Sequence, residues 1–293
     1  MNPTLCLVVG MHRSGTSLIS RSLAALGAAH GDNLHTHVDN AKGHWEDRDL
    51  IALNETLLQR LQRSWDCLTP LDAAQQHSKL LQAELEAAKA LLSDRLAQHP
   101  LYALKDPRTT LLLPFWQVVL QSLALRPCFV LALRHPFAVA RSLAQRDGFH
   151  TLRSLTLWVL YNLAAIEALA GRRDGVALIE YEALLQQPRH QLQQLAATLQ
   201  LELDAAAMEV LIGDFLDPSL NHHGAAAGSE LADLADHPIV TLALEIHAHL
   251  VTRTQMGKGL DAESQQLLQR WREQLGHLLA LSSLCDAEHN KLQ

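Results

Sequence analysis

The sequence predicts an α/β protein built on an open, mainly parallel sheet flanked by helices. Three observations predict it. Four short apolar runs are bounded by turn or charged residues, and each is followed by a helix-like stretch. Leu and Ala dominate while aromatic residues make up only 4% of the chain, which suits helices over a small sheet better than an all-β fold. Runs of this length between turn residues suit buried parallel strands, and their alternation with helices calls for right-handed crossovers.

The first run, Leu5–Val9, ends at Gly10. The second, Leu101–Leu104, stops at Lys105-Asp106-Pro107. The third, Phe129–Leu133, ends at Arg134-His135-Pro136, and the fourth, Val176–Ile179, at Glu180-Tyr181-Glu182. Residues 50–97 carry apolar positions at helical spacing, among them Leu80, Leu81, Leu85, Ala88, Leu91 and Leu92. Residues 186–293 also read as helical, with a break at 217–230 marked by Pro218 and Gly224. The expected layout is one domain over 1–293. Its α/β core covers about 1–48 and 100–190, a helical insertion covers about 49–99, and a helical C-terminal part covers about 191–293.

Composition narrows the function. In 293 residues, 24 Lys and Arg against 31 Asp and Glu give a net charge of −7, which argues against a nucleic-acid partner. A hydrophobic content of 48% excludes a disordered chain. The apolar runs are expected to fall short of the roughly 20 residues of a membrane span. The N-terminus lacks a basic leader with a small-residue cleavage site, so a cytoplasmic location is expected. Cys6, Cys67, Cys128 and Cys285 lie too far apart for a zinc framework or a disulfide scaffold, and Cys6 and Cys128 read as small buried hydrophobes. The amphipathic pattern of 186–293 serves a homodimer face as well as a core.

The sharpest motif is LCLVVGMHRSGTS at Leu5–Ser17, a buried strand running through Gly10 into a helix that starts near Gly15. This is the context of a phosphate-binding loop: backbone N–H groups and the helix dipole face an anion, and glycines let the backbone approach it. Against G-x-x-x-x-G-K-[ST], Gly10 and Gly15 fit, but Thr16 stands where the lysine belongs. The third strand ends in Arg134, where a nucleotidase places a magnesium-binding aspartate. The fold is therefore expected to be P-loop NTPase-like, with phosphate held by Arg13, Arg134 and backbone and no metal required. The run 126–153 holds Arg126, Arg134, Arg141, Arg146 and Arg153 against Asp147 alone, which suggests a local positive field for a multiply charged ligand. His30, His35, His37 and His44, with Asp32 and Asp39, include a His-x-His pair that could ligate zinc, but no further fixed spacing or cysteine supports a metal, and they read as a substrate-facing loop.

GMHRSGTS at 10–17, KDPR at 105–108, RHPFAVARS at 134–142 and IEYEALLQQP at 179–188 together resemble the sulfotransferase family, in order and at strand ends. The resemblance is to the bacterial or glycan-like members. It implies 3′-phosphoadenosine 5′-phosphosulfate (PAPS) as donor and 3′,5′-bisphosphoadenosine as product. It implies that Arg13, Ser14, Gly15, Thr16 and Ser17 cradle the 5′-phosphosulfate and that Arg134 and Ser142 hold the 3′-phosphate. Tyr181 lies near the adenosine or is a strand-end core residue. Lys105 contacts the oxygen bridging sulfur and phosphorus. The family's histidine base, two residues after that lysine, is replaced by Pro107. The slot used by members with a carboxylate base is filled by Glu46, with Asp47 and His44 as alternatives. The aromatic that often follows the loop is Leu18, and Gly257-Lys258-Gly259 only faintly resembles the family's late donor loop. His12, His222 and His223 stand as further candidates on the donor or acceptor side. The implied partner is a small-molecule or glycan acceptor. A P-loop kinase and a non-catalytic nucleotide-binding module are the rival expectations.

Overall fold

The computed structural model describes residues 2–31, 33–34, 45–77, 79–172, 174–214, 234–257 and 259–289. Strand β1 (Thr4–Val9) leads through a loop into helix α1 (Thr16–Ala25). Helices α2 (Arg48–Arg60), α3 (Ala73–Gln76) and α4 (Gln82–Gln98) precede β2 (Leu101–Lys105). Helices α5 (Arg108–Leu111) and α6 (Leu113–Gln121) connect to β3 (Arg126–Leu133), and α7 (Pro136–Asp147) and α8 (Thr151–Leu169) to β4 (Val176–Glu180). There follow α9 (Tyr181–Gln186), α10 (Pro188–Leu199), α11 (Ala205–Asp214), α12 (Pro238–Gln255) and α13 (Ala262–His289). The break expected at 217–230 lies outside the described residues, as do Asp32, His35, His37, Asp39, His44, His222, His223 and Lys258.

The four strands form one parallel sheet in the order β2-β1-β3-β4. Val8 pairs with Lys105, Val9 with Leu131 and Leu133 with Glu180, so the carboxyl ends of all four strands reach one edge. The chain leaves β1 for β2 on one side and then crosses to β3 on the other. β1 and β3 therefore flank the switch point, where ligands bind in open α/β sheets. The strands run slightly longer than the apolar runs, because Lys105, Arg126 and Glu180 still pair in the ladder.

Every residue of β1 is buried, and its alternation divides the core. Leu5, Leu7 and Val9 face α2, α4, α6, α7, α8, α12 and α13, while Cys6 and Val8 face α1, α9, α10 and α11. Cys6 lies opposite Cys128 in the register, and both are free, buried thiols that pack as hydrophobes.

One expectation needs correcting. α8 is 19 residues long and apolar enough to cross a membrane by length and composition. Its apolar surface is taken up inside the protein, where Trp158, Tyr161 and Ile166 are fully buried among α7, α12 and α13. A helix that is apolar nearly all round is a central core helix when other elements enclose it.

Trp158 also donates from Nε1 to the Arg134 carbonyl at 3.1 Å, which ties the core to the end of β3. Trp158→Ala is expected to cost about 3–5 kcal/mol of stability, measured by urea unfolding.

Candidate active site

Two glycines shape the loop between β1 and α1. Gly10 has φ 139°, and a Cβ there would lie 2.7 Å from the Ala132 carbonyl oxygen of β3. Thr110 of α5 fixes the same residue: its Oγ1 accepts the Gly10 N–H at 2.8 Å and donates to the Gly10 carbonyl at 3.2 Å. Gly15 caps α1 in a left-handed conformation, and a Cβ there would lie 2.4 Å from the ring of Tyr181. No side chain caps α1 and no acid occupies its first turn, so its positive dipole end faces the loop uncompensated by either. Ser14 Oγ is buried in the loop with no hydrogen-bond partner among the described residues. Thr16 is buried and Ser17 half-buried at the helix start.

Arg13 has φ 68°, a left-handed conformation for a residue with a side chain, and it sends its guanidinium out of the loop. Arg13 Nε donates to Ser142 Oγ on α7 at 2.8 Å. Arg134 Nη1 donates to the Arg13 carbonyl at 3.1 Å, and its guanidinium lies over the Tyr181 ring, 4.3 Å from the centroid. Glu182 Oε1 is 3.7 Å from Arg134 Nε. The structure thus brings Arg13, Arg134, Ser142 and Tyr181 together beside Gly15. Burial pushes the Arg134 pKa down, with Tyr181 and Glu182 acting the other way. Burial raises the Glu182 carboxyl.

On the other flank, Lys105 ends β2 with its side chain 3% exposed. It is ion-paired with Glu46 and lies 3.4 Å from Ser17 Oγ. Asp106 instead binds Arg108 and Asn54. Glu46 and Asp47 have separate roles: Glu46 meets Lys105, whereas Asp47 caps α2 by accepting the Asp49 N–H at 2.9 Å. Trp45, in a left-handed conformation at φ 56°, packs against His30 at 5.4 Å.

His12 packs its ring against Trp65 and Tyr161, with ring centroids 4.4 Å and 5.9 Å away. Burial lowers its pKa well below the ordinary histidine value, and the charges of Arg146, Arg108, Lys105 and Arg13 push the same way. Its Nε2 has no hydrogen-bond partner among the described residues.

The arginines of 126–153 divide: the charges of Arg134, Arg141 and Arg146 act at the loop and its flank, whereas Arg126 lies far from it. Arg126 begins β3 at the opposite edge of the sheet and donates to the Leu199 carbonyl. Arg146 pairs with Asp147 beneath Trp65, and Arg153 pairs with Asp66. Arg134 is bonded to the loop backbone. Leu18 is buried in the core. Among the described residues, no group of three or more His, Cys, Asp or Glu side chains is placed to hold a metal.

Sequence reasoning missed the supports. Asn54 of α2 donates to Asp106 Oδ2 and Thr109 Oγ1, both at 2.9 Å, and accepts from Trp116 Nε1 at 2.9 Å. With Thr110 they lock α2, α5 and α6 against the base of the loop. No spacing rule signals such a network, because its members lie far apart in the chain.

Gly15→Ala is expected to destabilise the protein by about 1–3 kcal/mol, through backbone strain and the contact with Tyr181. In a double-mutant cycle by chemical denaturation, Tyr181→Ala should relieve part of that loss. Burial also holds His30, and His247 of α12 against His135, down at a pKa of about 4. The unfolded chain takes up protons near pH 6.5 that the folded one refuses. Stability is therefore expected to be intact above about pH 6.5 and to fall as pH drops toward 4, with His30→Gln flattening the decline in urea titrations at each pH.

These motifs agree with comparison to known proteins. The sequence model of the Sulfotransferase family matches residues 6–205. Among solved structures, the sulfotransferase domain from the Synechococcus PCC 7002 olefin synthase is 18% identical, over 75% of this chain and 82% of that one, with a TM-score of 0.46. The sulfotransferase domain from the curacin biosynthetic pathway is 16% identical, over 88% of this chain and 99% of that one, with a TM-score of 0.44. A search of curated proteins finds no match. The family match runs from within β1 to the first residue of α11 and so takes in every strand of the sheet and both flanks of the loop; the chain belongs to the sulfotransferase family.

Proposed function

We propose that the protein transfers a sulfuryl group from PAPS to a hydroxyl of a carbohydrate or other small-molecule acceptor. One observation carries this reading: a loop with an uncapped helix start lies between two cation groups, Arg13–Arg134 beside Ser142 on one side and Lys105 on the other. The residues fit such a donor. Ser14 Oγ is buried and unpartnered among the described residues, and Gly10 and Gly15 let the loop pack directly against Ala132 and Tyr181. When bound, the donor supplies an activated sulfuryl group on a phosphate leaving group.

The side chains divide the work. Residues 13–17 hold the 5′-phosphosulfate through backbone N–H groups and hydroxyls. Arg134, Arg13 and Ser142 hold the 3′-phosphate, where a guanidinium fork fits phosphate as an ammonium does not. Tyr181 packs on Arg134 and keeps its plane directed at that site. Lys105 neutralises charge growing on the leaving oxygen, the task that metal ions perform in phosphoryl transfer. Glu46 takes the proton from the acceptor hydroxyl. Because Lys105 and Glu46 are each other's partners, the pair must separate before either serves the reaction.

Calorimetric titration with 3′,5′-bisphosphoadenosine in EDTA tests the donor site, with Mg²⁺-ATP alongside. Metal-independent binding, weakened at least tenfold by Arg134→Ala, is expected, since a hydrogen bond to a charged group contributes about 1.5–3 kcal/mol. Preference for Mg²⁺-ATP would replace this reading with a kinase.

A further inference from the structure

Asp47, next to the proposed base, is bonded beyond what a helix cap requires. A cap uses one side-chain oxygen. Asp47 uses Oδ1 for the cap, while Oδ2 accepts from Arg95 Nε of α4 at 2.9 Å and from the Tyr102 hydroxyl of β2 at 2.8 Å. Tyr102 is fully buried and Asp47 nearly so. Burial works against the Asp47 charge, but the bonds from Arg95, Tyr102 and the Asp49 N–H outweigh it and hold its pKa below the usual carboxylate range.

The neighbouring backbone is built around this contact. Asp47 bridges to Leu34, and the Arg48 N–H donates to the Asn33 carbonyl at 3.0 Å. Gly31 has φ 80°, and a Cβ there would lie 2.8 Å from the Tyr102 hydroxyl and 3.3 Å from Asp47 Oδ2. Trp45, two residues before Asp47, holds a left-handed conformation that a bulky side chain keeps only when its surroundings impose it. Between Trp45 and Asp47 sits Glu46, facing a lysine on the strand that also carries Tyr102.

We propose that Asp47, Arg95 and Tyr102 form a clamp that sets the 45–47 backbone so that Glu46 meets Lys105. They are positioning residues, and Asp47 is not a base: both its oxygens are committed. Arg95 brings the α4 helix into the arrangement, so a residue from the segment between β1 and β2 governs the geometry of the reaction centre. The inference rests on the reading of Glu46 and Lys105 as the reacting pair.

The test needs neither donor nor acceptor. Acetic anhydride labels lysines, and peptide mass spectrometry gives the rate at Lys105 relative to exposed Lys79. Wild-type Lys105, buried and paired, is expected to label slowly. Arg95→Met is expected to raise the ratio at least tenfold, with Arg95→Lys restoring much of the protection. Glu46→Gln should raise it similarly, and adding Arg95→Met to Glu46→Gln should change it less than twofold. If Arg95→Met fails to fold, Tyr102→Phe carries the same comparison in both backgrounds. An unchanged ratio in the clamp variants, or the same factor with and without Glu46, overturns the proposal, because general loosening would act independently of Glu46. Failure of bisphosphate binding would overturn the donor reading separately and leave this ratio as the measure of the clamp.

Discussion

The backbone at Gly10 and Gly15 approaches its neighbours more closely than any side chain allows, and the arrangement of the site depends on that approach. Gly10 lies against the carbonyl of Ala132, two residues before Arg134, and Gly15 lies against Tyr181. These contacts bring the loop onto the ends of β3 and β4 at once. Thr110 pins it from the side of β2 with a hydroxyl that both donates and accepts. Because all four strands are parallel, the side chains after their carboxyl ends have one edge in common, and the loop can meet each of them without any strand reversing.

Gathering cations at one edge carries an electrostatic cost in a partly buried site, and the protein gives each an acceptor or counter-charge. Lys105 has Glu46, Arg134 has Glu182 and the face of Tyr181, Arg13 has Ser142, and Arg108 has Asp106 and Glu55. Removing one member of a buried pair leaves the other uncompensated, which is more disruptive than losing an exposed pair. The resting site is thus held in balance by its own acids and hydroxyls.

The sheet and the loop were legible because they depend on local rules. Buried parallel strands read as continuous apolar runs, and Gly10 and Gly15 mark a strand-to-helix turn at fixed spacing. Arg126 shows where sequence proximity misleads. It lies eight residues from Arg134, but eight residues of extended strand span roughly 26 Å, so the two occupy opposite edges of the sheet. The division between Glu46 and Asp47 was not legible either. Both are acids before a helix, and their roles differ only through Lys105, Arg95 and Tyr102, which lie about fifty residues away in the chain and meet them only in the folded protein. The Asn54 network escaped for the same reason.

The apolar character of α8 has a consequence for biosynthesis. The helix leaves the ribosome before α12 and α13, two of the elements that cover it. Until they arrive, a long hydrophobic surface on the nascent chain is open to water, to chaperones and to other copies of itself. Chains cut before α12 leave that surface uncovered and are expected to aggregate even though every strand and the whole loop between β1 and α1 are present.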